Sequence, residues 1–453
     1  MNFEVKTNYL CQKNRENRME LKNKKPLSEK LNRKIAPSIR TIEHIELPKA
    51  TSFLLDNGIS VFETNLGTQE VMRLTVVFNN AGRTQEHKHA VARATCRLLR
   101  EGTASFDGAQ IAEQLDFWAG SLRLDGGFDR STVSLHCMTK HFDKLMPIIA
   151  EMIISPTFPA RELQTFQKNA SQKLQISLTE NDTLAFRKVS NMMFGDAHPY
   201  GYNTETADLA ALTTEDLARF HAENMTASNA KIYLAGKISP SVRATLNQYL
   251  GKFETKQVEK AADFPTPNFT PARAHVKNPD TQQTSIYLSR HLFTRKHEDY
   301  LGMSVLNTIL GGYFGSRLMS NIREEKGYTY GIYSSFDLMQ HAGTLNISTD
   351  VSNELVKATL KEIYFEMNRL RNEPILEEEL VLVKNYLLGN MLNVIDGAFQ
   401  VSSLIASLHT DGMDETDFER VVEVVKNITA ADLQQLAQRY LDPKDWFQVT
   451  AGA

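Results

Sequence analysis

The chain has 453 residues, of which 42% are hydrophobic and 23% are charged. This composition is typical of a globular protein, and the length predicts two or more domains. The 51 Lys and Arg residues nearly balance the 54 Asp and Glu residues, which leaves a net charge of −3. Such a charge argues against a nucleic acid or an anionic membrane surface as the partner.

The cysteines indicate the compartment. Cys11, Cys96 and Cys137 lie far apart and form no Cys-x-x-Cys pair, which argues against a zinc ribbon or a redox dithiol. They fit a reducing compartment, so we expect a cytoplasmic protein. Residues 1–45 are polar and rich in lysine, and they lack both the apolar core of a secretory signal and an 18-residue apolar run. We expect a loosely ordered tail here, with Met19 as an alternative start.

Strand patterns begin the first half of the chain. Residues 53–62 flank an Asn-Gly pair, which predicts a hairpin, and residues 72–78 form an apolar run typical of a buried strand. Residues 142–154 are apolar enough for a core helix. In the second half, Thr284–Leu288 is the expected equivalent of the buried strand.

The two halves repeat each other. A Thr-x-x-Asp capping box that ends at Asp216 begins one helix, and another that ends at Asp432 begins a second. Each predicted helix leads into an apolar strand, which ends at Gly236 in the first half and at Gly452 in the second. Both pairs of residues are separated by 216 positions. This regular offset predicts an internal duplication.

The duplication defines the predicted architecture. Residues 356–370 follow a 3.6-residue apolar period, which predicts an amphipathic helix. We predict an α+β protein of two tandem, homologous domains of about 200 residues, each an antiparallel-rich sheet packed with helices. A segment rich in Pro, Lys and Thr has the composition of a linker between them. The predicted parts are a tail (1–45), a first domain (46–254), a linker (255–272) and a second domain (273–453).

Three tracts resemble a known family. Glu101-Gly102-Thr103 ends a tract of the first half, and residues 194–201 read FGDAHPYG. Residues 311–330 of the second half follow the pattern GGxxxSRLxxxIRExxGxxY. With the two tandem repeats, these tracts make residues 45–453 resemble the pitrilysin/insulinase-type zinc peptidases, and the resemblance implies that family's fold.

Active members of that family carry His-x-x-Glu-His on a helix shortly before a Gly-Thr; the histidines bind zinc and the glutamate is the general base. By this resemblance the three positions are Arg93, Cys96 and Arg97 here, and the third ligand, a glutamate, falls near Lys173–Leu174, at Leu174 in our alignment. A guanidinium offers no lone pair, and a thiol cannot act as a carboxylate. We therefore expect no metal in this chain and no hydrolysis by the chain alone. Cys96 is expected in the core rather than as a nucleophile.

Neighbouring residues allow other interpretations. His87 and His89 could contribute to a metal site, although short His-x-His runs on polar loops usually only meet solvent. Arg93, Arg97 and Arg100 are spaced i, i+4 and i+7, which predicts one basic stripe on a helix. That stripe is either a solvated face or a patch that contacts a partner or an acidic peptide.

The second half keeps two residues that the family uses. In members that act on peptides, an arginine and a tyrosine seven residues later reach from the second domain to the zinc site. The resemblance places Arg323 and Tyr330 there, with the hydroxyl on the oxyanion and the guanidinium on the substrate backbone. Both could also be ordinary fold residues. The nearby Gly311-Gly312 lacks the Gly-Lys-Ser/Thr ending of a phosphate loop, so we expect close backbone packing.

The resemblance also suggests a peptide site and a role. The family binds peptide as an added strand at a sheet edge, and the matching segment here contains Gly120, Ser121 and Leu122. We expect a non-catalytic subunit that pairs with a homologous His-x-x-Glu-His subunit; that partner would hold the zinc, and the pair would cleave peptides or small unfolded proteins. One alternative is a peptide-binding or scaffold protein of the same fold, as in the core subunits of the respiratory cytochrome complex. Another is a homodimer with new chemistry.

Overall fold

The structure is a computed structural model that describes residue 42 and residues 44–256 and 263–453. The predicted tail, 1–45, lies almost entirely outside these residues. The predicted linker, 255–272, lies partly outside them, and its described part contains neither helix nor strand. His44–Ala453 belong to one compact unit.

Two sheets, one in each half of the chain, form the framework of the described residues. The strands are β1 (Thr51–Leu54), β2 (Ser60–Asn65), β3 (Val71–Asn79), β4 (Ser121–Gly126), β5 (Arg130–Met138), β6 (Ala230–Gly236), β7 (Arg273–Lys277), β8 (Gln283–Leu292), β9 (Ile332–Leu338), β10 (Gly343–Ser352) and β11 (Phe447–Gly452).

Helices pack against both sheets. They are α1 (Val91–Leu98), α2 (Gly108–Phe117), α3 (Phe142–Ile154), α4 (Ala160–Ser177), α5 (Asn181–Phe194), α6 (Thr206–Ala210), α7 (Thr214–Asn224), α8 (Pro240–Leu250), α9 (Tyr300–Asn307), α10 (Val356–Asn372), α11 (Glu377–Val394), α12 (Ala398–Thr410), α13 (Glu415–Asn427) and α14 (Ala430–Tyr440). Two wide-turn π-helical segments, Thr308–Gly312 and Met319–Glu325, lie between α9 and β9.

The two sheets have the same topology. Their strand orders are β1-β2-β6-β3-β5-β4 and β7-β11-β8-β10-β9, so that after β1 each strand of the first sheet has a counterpart in the second. The pairs β2–β6 and β7–β11 are parallel, and the other neighbouring pairs are antiparallel. The predicted α+β fold of two homologous repeats is therefore confirmed, with β4 and β9 as equivalent edge strands.

Local sequence signals are also confirmed. The β1–β2 hairpin is present, but Leu54 pairs with Ser60, so five residues connect the strands instead of two. Gly58 supplies the left-handed backbone that this turn needs, with φ = 85°. Both predicted capping boxes form, at Thr213 before α7 and at Thr429 before α14.

One helix from each half of the chain packs against the sheet of the other half. Helix α5 buries Ala185, Val189 and Met193 against Phe447 and Val449 of β11 in the second sheet. Conversely, α12 packs on β2 and β6 of the first sheet. Full burial of a valine or methionine side chain, such as Val189 or Met193, contributes roughly 1.5–3 kcal/mol. The two halves are therefore tied together by reciprocal helix packing.

One helix pair bears on membrane association. Within the described parts of the chain, no single helix is long and apolar enough to cross a membrane. Helices α11 and α12 together meet the length and composition requirement, but the pair bends by 107° at its break.

Candidate functional site

Helix α1 presents arginines on one side and buries a cysteine on the other. Its first turn is capped by Glu86, whose carboxylate accepts the backbone N–H of Ala90 at 3.3 Å and of Ala92 at 3.0 Å. Arg93 and Arg97 are exposed, whereas Cys96 is fully buried. The apolar residues of the helix thus face the core and its two arginines face solvent.

A polar cluster holds the start of α1. The hydroxyl of Tyr202 donates a hydrogen bond to Glu86, and the guanidinium of Arg83 lies 3.3 Å from the centroid of the Tyr202 ring. His89 stacks on the other side of this network, with 3.8 Å between its ring centroid and that of Tyr202. Burial raises the pKa of Glu86, while the bonds from Tyr202 and the two amides act in the opposite direction. Nothing in the local sequence pairs residue 86 with residue 202, so sequence reasoning missed this cluster.

A cavity of about 760 Å³ lies between α1, α4 and the end of β4. Its charged lining residues are Arg83, Glu86, Arg93, Arg97, Arg100, Glu101, Glu162 and Lys173. Gly126, the last residue of β4, forms part of the wall; a Cβ there would lie 3.2 Å from the Arg93 Cα. The strand can therefore approach α1 closely because residue 126 is glycine.

The positions to which the resemblance assigns zinc ligands meet at this cavity, but their side chains offer no metal ligands. Arg93, Arg97 and Leu174 line it, and Leu174 also packs against the hydrophobic core. Burial raises the pKa of the Cys96 thiol to about 11, so that it stays protonated at neutral pH. Two guanidiniums, a protonated thiol and an aliphatic side chain do not fit zinc.

The predicted basic stripe is shorter than expected. Helix α1 ends at Leu98, so Arg100 lies in the turn beyond it and not on the helical face of Arg93 and Arg97. The prediction was wrong on this point because it assumed that the helix continued for another turn. Arg100 still lines the cavity, where its Nε lies 3.2 Å from a carboxylate oxygen of Glu101.

The two histidines before α1 point to different acids. His87 Nε2 lies 3.7 Å from Asp216 at the start of α7, and His89 Nδ1 lies 3.3 Å from Asp208 in α6. Among the described residues, no group of three or more His, Cys, Asp and Glu side chains is placed to hold a metal ion. The two histidines therefore contact different acidic residues and are not arranged to bind one metal ion together.

The predicted peptide segment lies in and just before β4, which is an edge strand of the sheet formed by the described residues. Strand β4 contains Ser121 and Leu122 and pairs with β5 on one side only. Leu122 packs against the core, while Ser121 is exposed. Gly120 precedes the strand, and a Cβ on it would come within 2.9 Å of a Leu145 methyl group. The outer edge of β4 leads along the strand to the cavity at Gly126.

The second-half motif builds a rigid support. Leu318 and Ile322 are fully buried, and Arg317 forms a two-pronged ion pair with Glu379 of α11, with N–O distances of 2.9 and 2.8 Å. A Cβ on Gly311 would lie 2.7 Å from the backbone N of residue 334, which confirms the expected close packing. These residues fix the π-helical segment that carries residue 323.

Arg323 and Tyr330 meet at the surface. The Arg323 Nε–H donates a 2.8 Å hydrogen bond to the Tyr330 carbonyl oxygen, and the guanidinium lies 4.7 Å from the Phe314 ring centroid. On the other side, the Thr329 hydroxyl donates to the carbonyl oxygen of Asp350 at 2.8 Å. The Tyr330 side chain is 93% exposed, and within the described residues its hydroxyl has no hydrogen-bond partner. The backbone of Tyr330 is thus fixed, and the Arg323 guanidinium lies 5.6 Å from the centroid of its ring, while its hydroxyl points to no partner among the described residues.

The two sites lie apart within the chain. Tyr330 lines a second cavity of about 620 Å³, together with Tyr333, Phe186 and Asp350. This cavity shares no lining residue with the one beside α1. The chain therefore brings Arg323 and Tyr330 together, but not to the cavity that Arg93, Arg97 and Leu174 line.

Comparisons with known proteins agree with the resemblance to zinc peptidases. Residues 211–387 match the family model described as "Peptidase M16 inactive domain". "Uncharacterized zinc protease YmxG" of Bacillus subtilis (strain 168) is 21% identical over 391 residues, which cover 85% of this chain and 93% of the relative. "Non-peptidase homolog YmxG" of Helicobacter pylori (strain ATCC 700392 / 26695) is 23% identical over 322 residues, 68% of this chain and 71% of the relative.

A solved structure agrees. The crystal structure of a peptidase M16 inactive domain from Pseudomonas fluorescens superposes with a TM-score of 0.79 at 24% identity, covering 89% of this chain and 98% of that one. This likeness shows the fold. The chain is thus similar in sequence to a peptidase M16 inactive domain over residues 211–387, and similar in fold to that solved structure over most of its length.

Proposed function

We propose that this chain is the non-catalytic subunit of a heterodimeric peptidase, in which a homologous subunit with His-x-x-Glu-His holds the zinc. This chain itself would hold none. The observation that carries the proposal is the Arg323–Tyr330 pair: a phenol that is 93% exposed on a backbone fixed by a 2.8 Å hydrogen bond. An exposed and unpaired hydroxyl at a fixed position is suited to a ligand outside the chain.

Each residue of the pair has a defined task. The Tyr330 hydroxyl would donate a hydrogen bond to the oxyanion that develops on the scissile carbonyl. Arg323 uses its Nε for the Tyr330 carbonyl, which leaves its terminal nitrogens for a carbonyl oxygen of the substrate backbone. When bound in the partner, zinc would supply the activated water. This division of labour requires the second-half surface of this chain to face the partner's zinc domain.

Surface composition supports contact with another molecule near the pair. Three large aromatic side chains at or near the Arg323–Tyr330 pair are exposed: Phe314, Tyr330 and Tyr333. Aromatic residues are enriched at protein interfaces because they bury much area with few rotatable bonds. A substrate peptide and the partner subunit are the two occupants that the proposal requires.

The compartment belongs to the same proposal. Of the cysteines in the described residues, Cys96 and Cys137 are both buried and free. Free thiols suit a reducing compartment, so we place the heterodimer in the cytoplasm.

A second role uses the same fold without proteolysis. The free edge of β4 next to a basic cavity is a feature of a peptide-binding subunit. In that case the chain would carry or present peptides and have no effect on the chemistry of a partner.

Reconstitution separates the two roles. First, the chain would be purified from its native source to identify the subunits that co-purify with it. A homologous zinc-bearing subunit would then be assayed on unfolded polypeptides, alone and together with this chain. The heterodimer proposal predicts hydrolysis only when both chains are present, and inhibition by a chelator. If the zinc-bearing chain works at the same rate alone, or if no such chain co-purifies, the scaffold role replaces the proposal.

A further inference from the structure

We propose that the cavity beside α1, at the former metal position, is a carboxylate-binding site that takes an acidic peptide in extended conformation. The inference concerns the first half of the chain and does not depend on a zinc-bearing partner.

Three cations in this cavity have no partner. Arg93 and Arg97 of α1 and Lys173 of α4 line the cavity and are exposed to it. Within the described residues, none of the three side chains makes a hydrogen bond or an ion pair. By contrast, Arg100 pairs with Glu101, and Arg83 lies on the Tyr202 ring.

The anions of the cavity do not balance these charges. Glu86 is occupied by the Tyr202 hydroxyl and two backbone amides, and Glu101 by Arg100. Glu162 remains, but it lies eleven residues before Lys173 on α4, about 16 Å away along the helix axis. The cationic end of the cavity therefore carries an excess of positive charge that an anionic ligand would neutralise.

The spacing of the cations suits carboxylates. Arg93 and Arg97 lie one turn apart, about 6 Å along α1, and each guanidinium presents a planar set of donors that matches a carboxylate. Lys173 of α4 lines the same cavity. A site that would hold one cation in an active relative is here surrounded by three.

The adjoining strand selects a peptide rather than a small anion. Among the described residues no strand pairs with the outer edge of β4, and its last residue, Gly126, forms part of the cavity wall. A peptide that adds to this edge gains backbone hydrogen bonds along the strand and brings alternate side chains to one face. Carboxylates on that face, or at the peptide C-terminus, would reach the cations.

Fluorescence anisotropy on the isolated full chain would test the site. The probes are two fluorescein-labelled peptides, VEVEVEV and VQVQVQV, each as the free acid and as the C-terminal amide. We expect the Glu peptide to bind about tenfold more tightly than the Gln peptide at low ionic strength, with a preference that falls as salt is added. Comparing the acid and amide forms distinguishes a C-terminal carboxylate from side-chain carboxylates.

Variants assign the preference to the cavity. The double variant Arg93→Gln/Arg97→Gln should lose most of the tenfold preference. Arg219→Gln is the matched control, because Arg219 is an exposed arginine of α7, paired with Glu223 at 2.9 Å and not among the residues that line the cavity. Thermal melting by circular dichroism would check that every variant is folded.

Two results would overturn the inference. One is equal affinity for the Glu and Gln peptides. The other is a double variant that keeps the preference as fully as Arg219→Gln does. Peptides N-methylated at alternate residues test the strand addition separately, and unchanged affinity for both methylation patterns would overturn that part.

Discussion

The side chain of Arg323 is bonded to the backbone of Tyr330: Nε donates to the carbonyl oxygen at 2.8 Å across seven residues of sequence. The turn between them passes through Gly327, whose φ of 65° favours glycine. The arginine therefore has two functions in the proposed mechanism. It holds the tyrosine in place, and it keeps terminal nitrogens available for substrate.

Replacing Arg323 should impair both functions. In the reconstituted pair, Arg323→Ala is expected to raise KM and to lower kcat, with kcat/KM falling on the order of 100-fold because the phenol is no longer held in position. Arg323→Lys should recover little, because lysine lacks the planar guanidinium that bonds the carbonyl while leaving other donors free. Steady-state kinetics on a peptide substrate would measure the effect. Arg420→Ala, an exposed arginine of α13, is the control and should behave as wild type.

Removal of the Tyr330 hydroxyl should affect turnover and not binding. Tyr330→Phe is expected to lower kcat by about 10²–10³ with little change in KM, because the bond to the oxyanion forms only in the transition state. Assembly should not change, since the substitution deletes one exposed oxygen atom. Tyr386→Phe is the matched control, as Tyr386 is an exposed tyrosine of α11 that is not among the residues lining the cavity of Tyr330. A wild-type rate for Tyr330→Phe would leave the chain with a scaffold role.

The sequence predicted correctly those parts of the structure that depend on local patterns. Helix α3 has the predicted bounds of 142–154, and Thr213 and Thr429 cap their helices, because capping and apolar periodicity act within a few residues. The exchange of α5 and α12 between the sheets was not predictable, because the packing partners are separated by some 160 to 350 positions.

In the candidate site, too, sequence patterns predicted some features and long-range packing determines the others. Family spacing placed Arg93 and Arg97 at a former metal site and paired Arg323 with Tyr330. It could not show that α1 ends at Leu98, because no proline or glycine marks this end. Nor could spacing show that Lys173 has no partner among the described residues, since that depends on which side chains meet in three dimensions.

Metal binding would test the alignment of the substituted positions. The wild-type chain should contain substoichiometric zinc. The variant Arg93→His/Cys96→Glu/Arg97→His should still bind zinc weakly, because Leu174 leaves the third ligand position without a donor. Adding Leu174→Glu should then tighten binding, as measured by competition with a chromophoric chelator.

The variants that carry Cys96→Glu should also be less stable than the wild-type chain. Position 96 is fully buried, so a glutamate there should lower the melting temperature of the apo triple variant, and zinc should recover part of this loss in the quadruple variant. Tight zinc binding by the triple variant would show that the third position is assigned wrongly.

The Cys96 thiol gives a prediction about pH. Burial raises its pKa from an ordinary value of 9.0 to about 11 in the folded chain. Between these values the unfolded chain has lost the thiol proton while the folded chain retains it, so the free energy of unfolding falls as pH rises. Each pH unit in this window lowers it by about 1.4 kcal/mol, which amounts to about 3 kcal/mol at the upper end.

Urea unfolding of wild type and Cys96→Ala at pH values from 8 to 10.5 would isolate this effect. Lysines, tyrosines and Cys137 titrate in both proteins, so their contributions cancel in the difference. We expect that difference to be steady below pH 9 and then to shift in favour of Cys96→Ala as pH rises further. A constant difference over the whole range would mean that the thiol ionises as readily in the folded core as in the unfolded chain, which a fully buried position does not allow.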